Sequence, residues 1–395
     1  MKKLLQEAKK MQGELMAHRR YLHQNAEVGF DLPKTVKYIA EQLRAMGCVP
    51  KEVGRYALSV EIGTGSPCFL LRADMDGLPI KEESGEPFAC KKGCMHACGH
   101  DMHTTMLLGA AKLLKAREKE LKGRIKLLFQ PAEEILEGAK SAVENGVLTH
   151  PKVDGAMMLH VLTGVPLPTG SVVVAQGVSA PAADFFTVEV QGKGCHGSTP
   201  WKGVDASAVG AKILLGLQEI TAKEVSFATP SVLSVGSILA GGAGNVIADK
   251  AVLKGTLRTF DEGVRGHIKA RIEEIVKYTA KAFRAKAKVK FAGGCPSLLN
   301  DEKLSSLALQ TAKALLGEKV FSSAEMGSSE EKGGSEDFAY ISREVPSVML
   351  ALSAGNSKDG YKYPLHHPKA KFDEDALYIG SALYAAIALQ FIKNR

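Results

Sequence analysis

The chain has 395 residues, 45% hydrophobic and 24% charged, with a formal net charge of +8; that length suits one large domain or two smaller ones around ordinary globular cores. The basic excess is scattered over solvent faces of expected helices, without an aromatic-interleaved stripe or helix-turn-helix pattern, so no nucleic-acid partner is expected. No apolar run approaches about 18 residues, so no membrane span is expected either.

At the N-terminus, MKKLLQEAKKMQGELMAHRR alternates charged and apolar residues as an amphipathic helix does; a signal peptide needs about 7–15 apolar residues in a row. The seven cysteines then read as reduced thiols of a cytoplasmic protein. Helical spacing runs over 2–24 and 33–47, with Gly47 as a stop. Strands are expected at 56–62 and 67–73, the latter (PCFLLRA) apolar enough to be buried on both faces. A helix at 103–121, a strand at 123–129, a short helix at 141–145 and a strand at 155–159 follow. This alternation predicts an α/β sheet of largely parallel strands.

Near residue 180 the pattern changes. The run 184–190 (DFFTVEV) alternates as a half-exposed strand, followed by a helix at 205–222, strands at 231–239 and 251–259, a helix at 263–283 and a strand at 287–291. That β-α-β-β-α-β order predicts a ferredoxin-like α+β unit inserted as its own domain. Helices at 302–316 and 373–391 around a strand at 347–352 then resume the first style, and 327–337 (GSSEEKGGSED) reads as a flexible loop. The expected division is a catalytic domain in two parts, 1–180 and 295–395, split by an insert at 181–294.

On that map the polar outliers converge. Asp74 and Asp76 follow the strand PCFLLRA, Glu133 and Glu134 follow GRIKLLFQPA, and His160 follows GAMML. The stretch MHACGHDMH, with His96, Cys98, His100, Asp101 and His103, leads into a helix. The carboxyl ends of strands in an open α/β sheet share one edge, where ligands bind. Each outlier taken alone has an ordinary reading. Cys90, Cys94 and Cys98 at intervals of four suggest one thiol face of a helix, paired glutamates are usually solvated, a histidine beside an apolar strand usually bonds within the core, and Asp74 or Asp76 suits a turn cap. Ordinary readings of all of them would have to coincide at one edge, where unpaired carboxylates are costly to bury. Cys98, His100, Glu134 and His160 instead suit Zn²⁺, Mn²⁺, Co²⁺ or Ni²⁺, with one of the adjacent glutamates on metal and the other accepting a proton from water acidified to a pKa of about 7.

The stretches HRRYLHQNAEVGF, LRADMDGLPI, MHACGHDMHTT, FQPAEE, GCHGSTP, NVIAD, GTLRTF, GSEDFAY and LHHP occur in an order that resembles the amidohydrolase/aminoacylase metallopeptidase family, which includes hippurate hydrolases, N-acyl-amino-acid deacylases and auxin-conjugate hydrolases. The resemblance implies a mixed, largely parallel sheet of the metal-dependent exopeptidase type. It also implies two divalent ions held by Cys98, His100, Glu134, His160 and His366, with Glu133 as general base and Asp76 orienting a ligand histidine. The residues alone leave His366 and His367 open; the family pattern L-H-x-P selects His366. The chain departs from the family at Ala26 and Ala248, where proline is common, and alanine at 248 loosens the loop that presents Asn245.

The expected activity is metal-dependent hydrolysis of linear amides in N-acyl amino acids, with a dipeptidase or carboxypeptidase of the same architecture, or a non-catalytic metal-binding scaffold, as alternatives. Retention of Glu133 beside Glu134 argues against the scaffold. No G-x-S-x-G elbow supports a serine hydrolase, and GGAGN lacks the lysine of a P-loop. In the insert, His196 reads either as a surface histidine or, by the resemblance, as a hydrogen-bond donor to the developing oxyanion. Asn245 and Arg258 read either as exposed strand-end residues or as the grip on the substrate's α-carboxylate, which a guanidinium fork meets at both oxygens. The resemblance also implies a homodimer through the insert.

Overall fold

The computed structural model describes residues 1–326 and 334–394; most of the loop expected at 327–337 lies outside them. The chain divides into two compact units. The first holds Met1–Ser179 and most of the chain after Leu298, and the second holds Ala180–Ser297.

The first unit is built on an eight-stranded mixed sheet. In spatial order its strands are Lys51–Val53, Ala57–Gly63, Arg124–Gln130, Cys68–Asp74, Gly155–Leu162, Ser347–Ser353, Val172–Val174 and Val320–Ser322. The four central strands, from Arg124–Gln130 to Ser347–Ser353, run parallel to one another. Antiparallel pairing enters on either side of them. Every residue of Cys68–Asp74 is buried, as its unbroken apolar run requires. The helices His100–Lys115 and Ala376–Lys393 pack on each other and on that strand.

Boundaries differ from the sequence expectation for identifiable reasons. The long N-terminal helix breaks at Met11 into Lys2–Lys10 and Gln12–Gln24. Gly47 sits at φ 75° just past the helix Pro33–Ala45, the left-handed conformation that ends helices. The helix expected from residue 103 begins at His100 and ends at Lys115. The strand 155–159 continues to Leu162, so His160 lies within it rather than after it. Ala376–Lys393 is long and apolar enough to span a membrane by length and composition, which polar interruptions hid in the sequence, but 78% of it is buried inside the structure. Cys90, Cys94 and Cys98 form no helix face: residues 89–99 are loop.

The second unit has a four-stranded antiparallel sheet in the order Ser231–Ala240, Lys250–Thr259, Ala182–Gln191, Lys286–Cys295. Its helices, Ala206–Glu219 and Glu262–Ala282, pack together and share a core with Phe186, Val188, Leu253 and Leu257. A separate two-stranded ribbon pairs Cys195–His196 with Val246–Ile247.

One buried hydroxyl ties the centre of the large sheet to the last helix. Pairing between Cys68–Asp74 and Gly155–Leu162 ends at Arg72↔Met158. There Tyr384 donates to the Arg72 carbonyl at 2.7 Å and accepts from the Leu159 amide at 3.0 Å. Removing the hydroxyl strips a partner from two buried backbone groups. Tyr384→Phe should therefore lower unfolding stability by about 1–3 kcal/mol in urea titration; an unchanged midpoint would show that the hydroxyl carries no such role.

Candidate metal centre

The sheet register puts the chemically distinctive residues at one edge. Asp74 ends its strand opposite Gln130, the last residue of Arg124–Gln130, and His160 lies opposite Ala351 near the ends of the next two strands. Gly99 caps the helix that begins at His100, with φ 87°; a β-carbon there would come within 2.4 Å of Val161 Cγ2. Only glycine permits the turn that brings Cys98 and His100 together. Ala132 and Leu136, at φ 58°, flank Glu133 and Glu134, and His366 has φ 65°. Such left-handed non-glycine residues cost roughly 1–3 kcal/mol each and persist where packing dictates them.

Six of the expected residues meet in one cluster. Cys98 Sγ lies 3.6 Å from His160 Nε2 and 3.2 Å from His366 Nε2. Glu134 Oε2 is 3.6 Å from His366 Nε2, and its Oε1 is 3.8 Å from His100 Nε2. Glu133 Oε2 stands 3.9 Å from the same His100 nitrogen. His367 turns away: its ring stacks on Tyr363 at 4.4 Å and its Nδ1 accepts from the Lys369 amide.

The surrounding hydrogen bonds decide which atoms face inward. Asp76 accepts the backbone amides of Glu133 and Glu134 at 3.1 and 3.2 Å, and its Oδ1 is 3.3 Å from His100 Nδ1. It therefore anchors the glutamate pair and lies close beside the His100 ring. His160 Nδ1 is 2.8 Å from the Val161 carbonyl, which directs Nε2 into the cluster. His103 is excluded from ligation, because its Nε2 accepts the Val161 amide and its Nδ1 bonds Asp74 at 2.6 Å. Burial pushes His103 down to about 4. Asp74 takes that bond and one from Arg72 at 2.8 Å, so it is no turn cap.

Burial pushes the Cys98 thiol up. Burial likewise pushes Glu134 up to about 7, helped by Asp76 and Asp74 and opposed by His100. His100, disfavoured as a cation by burial, is nevertheless held well above its usual value by Asp74 and Cys98. Both His100 Nε2 and Glu134 Oε1 are buried without a hydrogen-bond partner. With Nε2 unprotonated, His100 offers a lone pair 3.8 Å from the Glu134 oxygen, and two such acceptor atoms fit a cation. Separations of 3.2–3.8 Å within the cluster match the roughly 3.3–3.7 Å edges of a tetrahedron with zinc-type bond lengths of about 2.0–2.3 Å.

The second unit places the other three candidates differently. The ribbon sets His196 opposite Val246, and the Gly197 amide donates to the Asn245 carbonyl at 2.7 Å, so His196 and Asn245 are neighbours. Arg258 lies on the four-stranded sheet, where it donates to Thr256 Oγ1 and the Leu257 carbonyl and covers the Phe185 ring at 5.0 Å. Sequence reading passed over Arg72, Gln130 and Asp337, all buried in one hydrogen-bonded group. It also passed over Arg19 and His23, which both bond Asp101 at 2.9 Å. The available signal was an arginine inside PCFLLRA, a run otherwise fit for burial on both faces.

The chain is similar to known proteins over most of its length. The model of peptidase family M20/M25/M40 matches residues 70–390. An N-acetyl-L-cysteine deacetylase of Bacillus subtilis is 37% identical over 93% of this chain and 85% of its own length. The IAA-amino acid hydrolase ILR1-like 2 of Arabidopsis thaliana is 34% identical over 95% of this chain and 85% of its own. A solved Bacillus subtilis protein described as a dinuclear metal binding peptidase from the M20 family superposes with a TM-score of 0.80 at 31% identity, covering 98% of this chain and all of that one. The chain therefore belongs to peptidase family M20/M25/M40 and is an amide-bond hydrolase.

Proposed function

We propose that this hydrolase cleaves the amide bond of N-acyl amino acids, using two divalent ions held by Cys98, His100, Glu134, His160 and His366. The observation that carries this reading is the pair of buried, partnerless atoms, His100 Nε2 and Glu134 Oε1, beside a thiol and two further imidazoles. That mixed donor set suits Zn²⁺, Mn²⁺, Co²⁺ or Ni²⁺. The relative described as dinuclear supports a pair of ions. The deacetylase and conjugate-hydrolase names of its relatives support an N-acyl amino acid as substrate.

Bound ions would acidify water and polarise the scissile carbonyl. Glu133, buried with Oε1 accepting the Asp337 amide at 3.4 Å, takes the water proton and passes it to the leaving amine. Asp76 holds both glutamates by their amides. In the second unit, His196 Nδ1 accepts from the Ser198 amide at 3.1 Å, so its Nε2 carries the proton and serves as an oxyanion donor. Arg258, held flat by Phe185 and Thr256, grips the substrate α-carboxylate together with Asn245. We read the second unit, by its strand order and its two helices, as a ferredoxin-like insert that also pairs two copies. Its edge strand Ser231–Ala240, with Val232, Ile238 and Leu239 exposed, supports pairing. The reading places the enzyme in the cytoplasm, without nucleic-acid or membrane partners.

Two measurements test this function. Glu133→Gln should retain metal by elemental analysis and lose turnover by roughly 10²–10⁴-fold, whereas Glu134→Gln should lose metal first; identical metal titrations for the two variants would refute the division of roles. An N-acyl amino acid should be cleaved much faster than its carboxamide, with Arg258→Ala erasing most of that preference and Arg258→Lys restoring part of it. Equal kcat/KM for acid and amide would indicate a general amidase.

A further inference from the structure

Three stretches of the sequence meet at one buried carboxylate outside the metal cluster. Arg72 of LRADMDGLPI donates through Nη2 to Asp337 Oδ1 at 2.7 Å. Gln130 of FQPAEE donates through Nε2 to both Asp337 oxygens at 2.9 Å. Ala139 donates its backbone amide to Asp337 Oδ2 at 2.8 Å. The Gln130 amide is fixed in this orientation because its Oε1 accepts from Arg72 Nε at 2.9 Å. Arg72, Gln130 and Asp337 are all fully buried.

Gln130 and Ala139 are the two ends of the segment that carries Glu133 and Glu134. That segment doubles back tightly: Gly138 donates to the Ala132 carbonyl at 3.2 Å, and a β-carbon on Gly138 would come within 1.7 Å of the Pro131 carbonyl oxygen. Ala132 and Leu136 inside it hold left-handed conformations, which relax unless the ends are held. The backbone amide of Asp337 itself donates to Glu133 Oε1.

We propose that Asp337 is a positioning residue that clamps both ends of the 130–139 segment and aims the Glu133 carboxylate, so that its effect on catalysis passes through Glu133. This rests on the reading of Glu133 as general base. Arg72, Gln130 and Ala139 all reach the Asp337 carboxylate through N–H donors. An isosteric asparagine would turn its own N–H₂ towards one of them and loosen the clamp while keeping the shape. Gln130→Met breaks the clamp at one end and leaves the Arg72–Asp337 ion pair in place.

The test uses the full-length Mn²⁺-loaded enzyme with N-acetyl-L-methionine as the probe. Asp337→Asn should keep its metal content and a KM within about threefold of the parent, while kcat falls by roughly 10²-fold, the scale of a small misplacement of a catalytic group. Gln130→Met should show the same split with a smaller fall in kcat. On a Glu133→Gln background neither substitution should slow the enzyme further, because the group that they aim has already been removed. If Asp337→Asn does not fold, the Gln130→Met pair of measurements decides alone. A Glu133→Gln enzyme that is slow and is slowed further by either substitution would overturn the clamp alone, as would unchanged kcat in both single variants. A Glu133→Gln enzyme with full turnover would overturn the base assignment, and the clamp with it.

Discussion

The first unit is organised around the cost of burying carboxylates. Asp74, Asp76, Asp101, Asp337 and Glu133 are all buried near the carboxyl ends of the central strands, where an ionised group without partners costs several kcal/mol. All of them are met by donors from the protein itself, Glu133 by the Asp337 amide. Asp74 has Arg72 and His103; Asp76 has two amides and stands beside His100; Asp101 has Arg19 and His23; Asp337 has Arg72, Gln130 and Ala139. Burial raises the Asp74 and Asp101 carboxyls, but the neighbouring cations outweigh it and hold both well below the usual range. One Glu134 oxygen has no donor, and His100 Nε2, 3.8 Å from it, has no partner either. Two orphaned atoms facing each other, with a thiol and two further imidazoles beside them, are the physical case for a cation at that point.

The same shell makes the cluster rigid. Cys98 and His100 are fixed by the turn at Gly99, His160 by its place inside a central strand, and Glu133 and Glu134 by Asp76 and by the closed segment between Gln130 and Ala139. His366 comes from a loop in a left-handed conformation, with its amide bonded to the Ala97 carbonyl next to Cys98. Side chains held by backbone hydrogen bonds and neighbouring charges stay together against the repulsion among like groups that would otherwise spread them apart.

Much of this was legible in the chain. Alternating periods located the central strands, and the coincidence of Asp, Glu and His at their ends located the edge on which the cluster forms. Resemblance selected His366 over His367, a choice that spacing alone left open and that the ring of His367, stacked on Tyr363, makes concrete. What the sequence did not reveal depends on tertiary placement. Short strands such as Val172–Val174 and Val320–Ser322 carry too few residues to display a period. The cysteines at 90 and 94 imitate a helix spacing but sit in a loop with their sulfurs 3.6 Å apart. Arg72, Gln130 and Asp337 lie far apart in the chain, and only the sheet register and the closing of the 130–139 segment bring them together.

The central claim, that this cluster holds two divalent ions, is tested most directly by anomalous scattering from crystals of the full-length protein grown with Mn²⁺. The account predicts two peaks about 3.5–4 Å apart, both among Cys98 Sγ, His100 Nε2, His160 Nε2, His366 Nε2 and the Glu134 carboxylate. A single peak, or peaks away from these atoms, would contradict it.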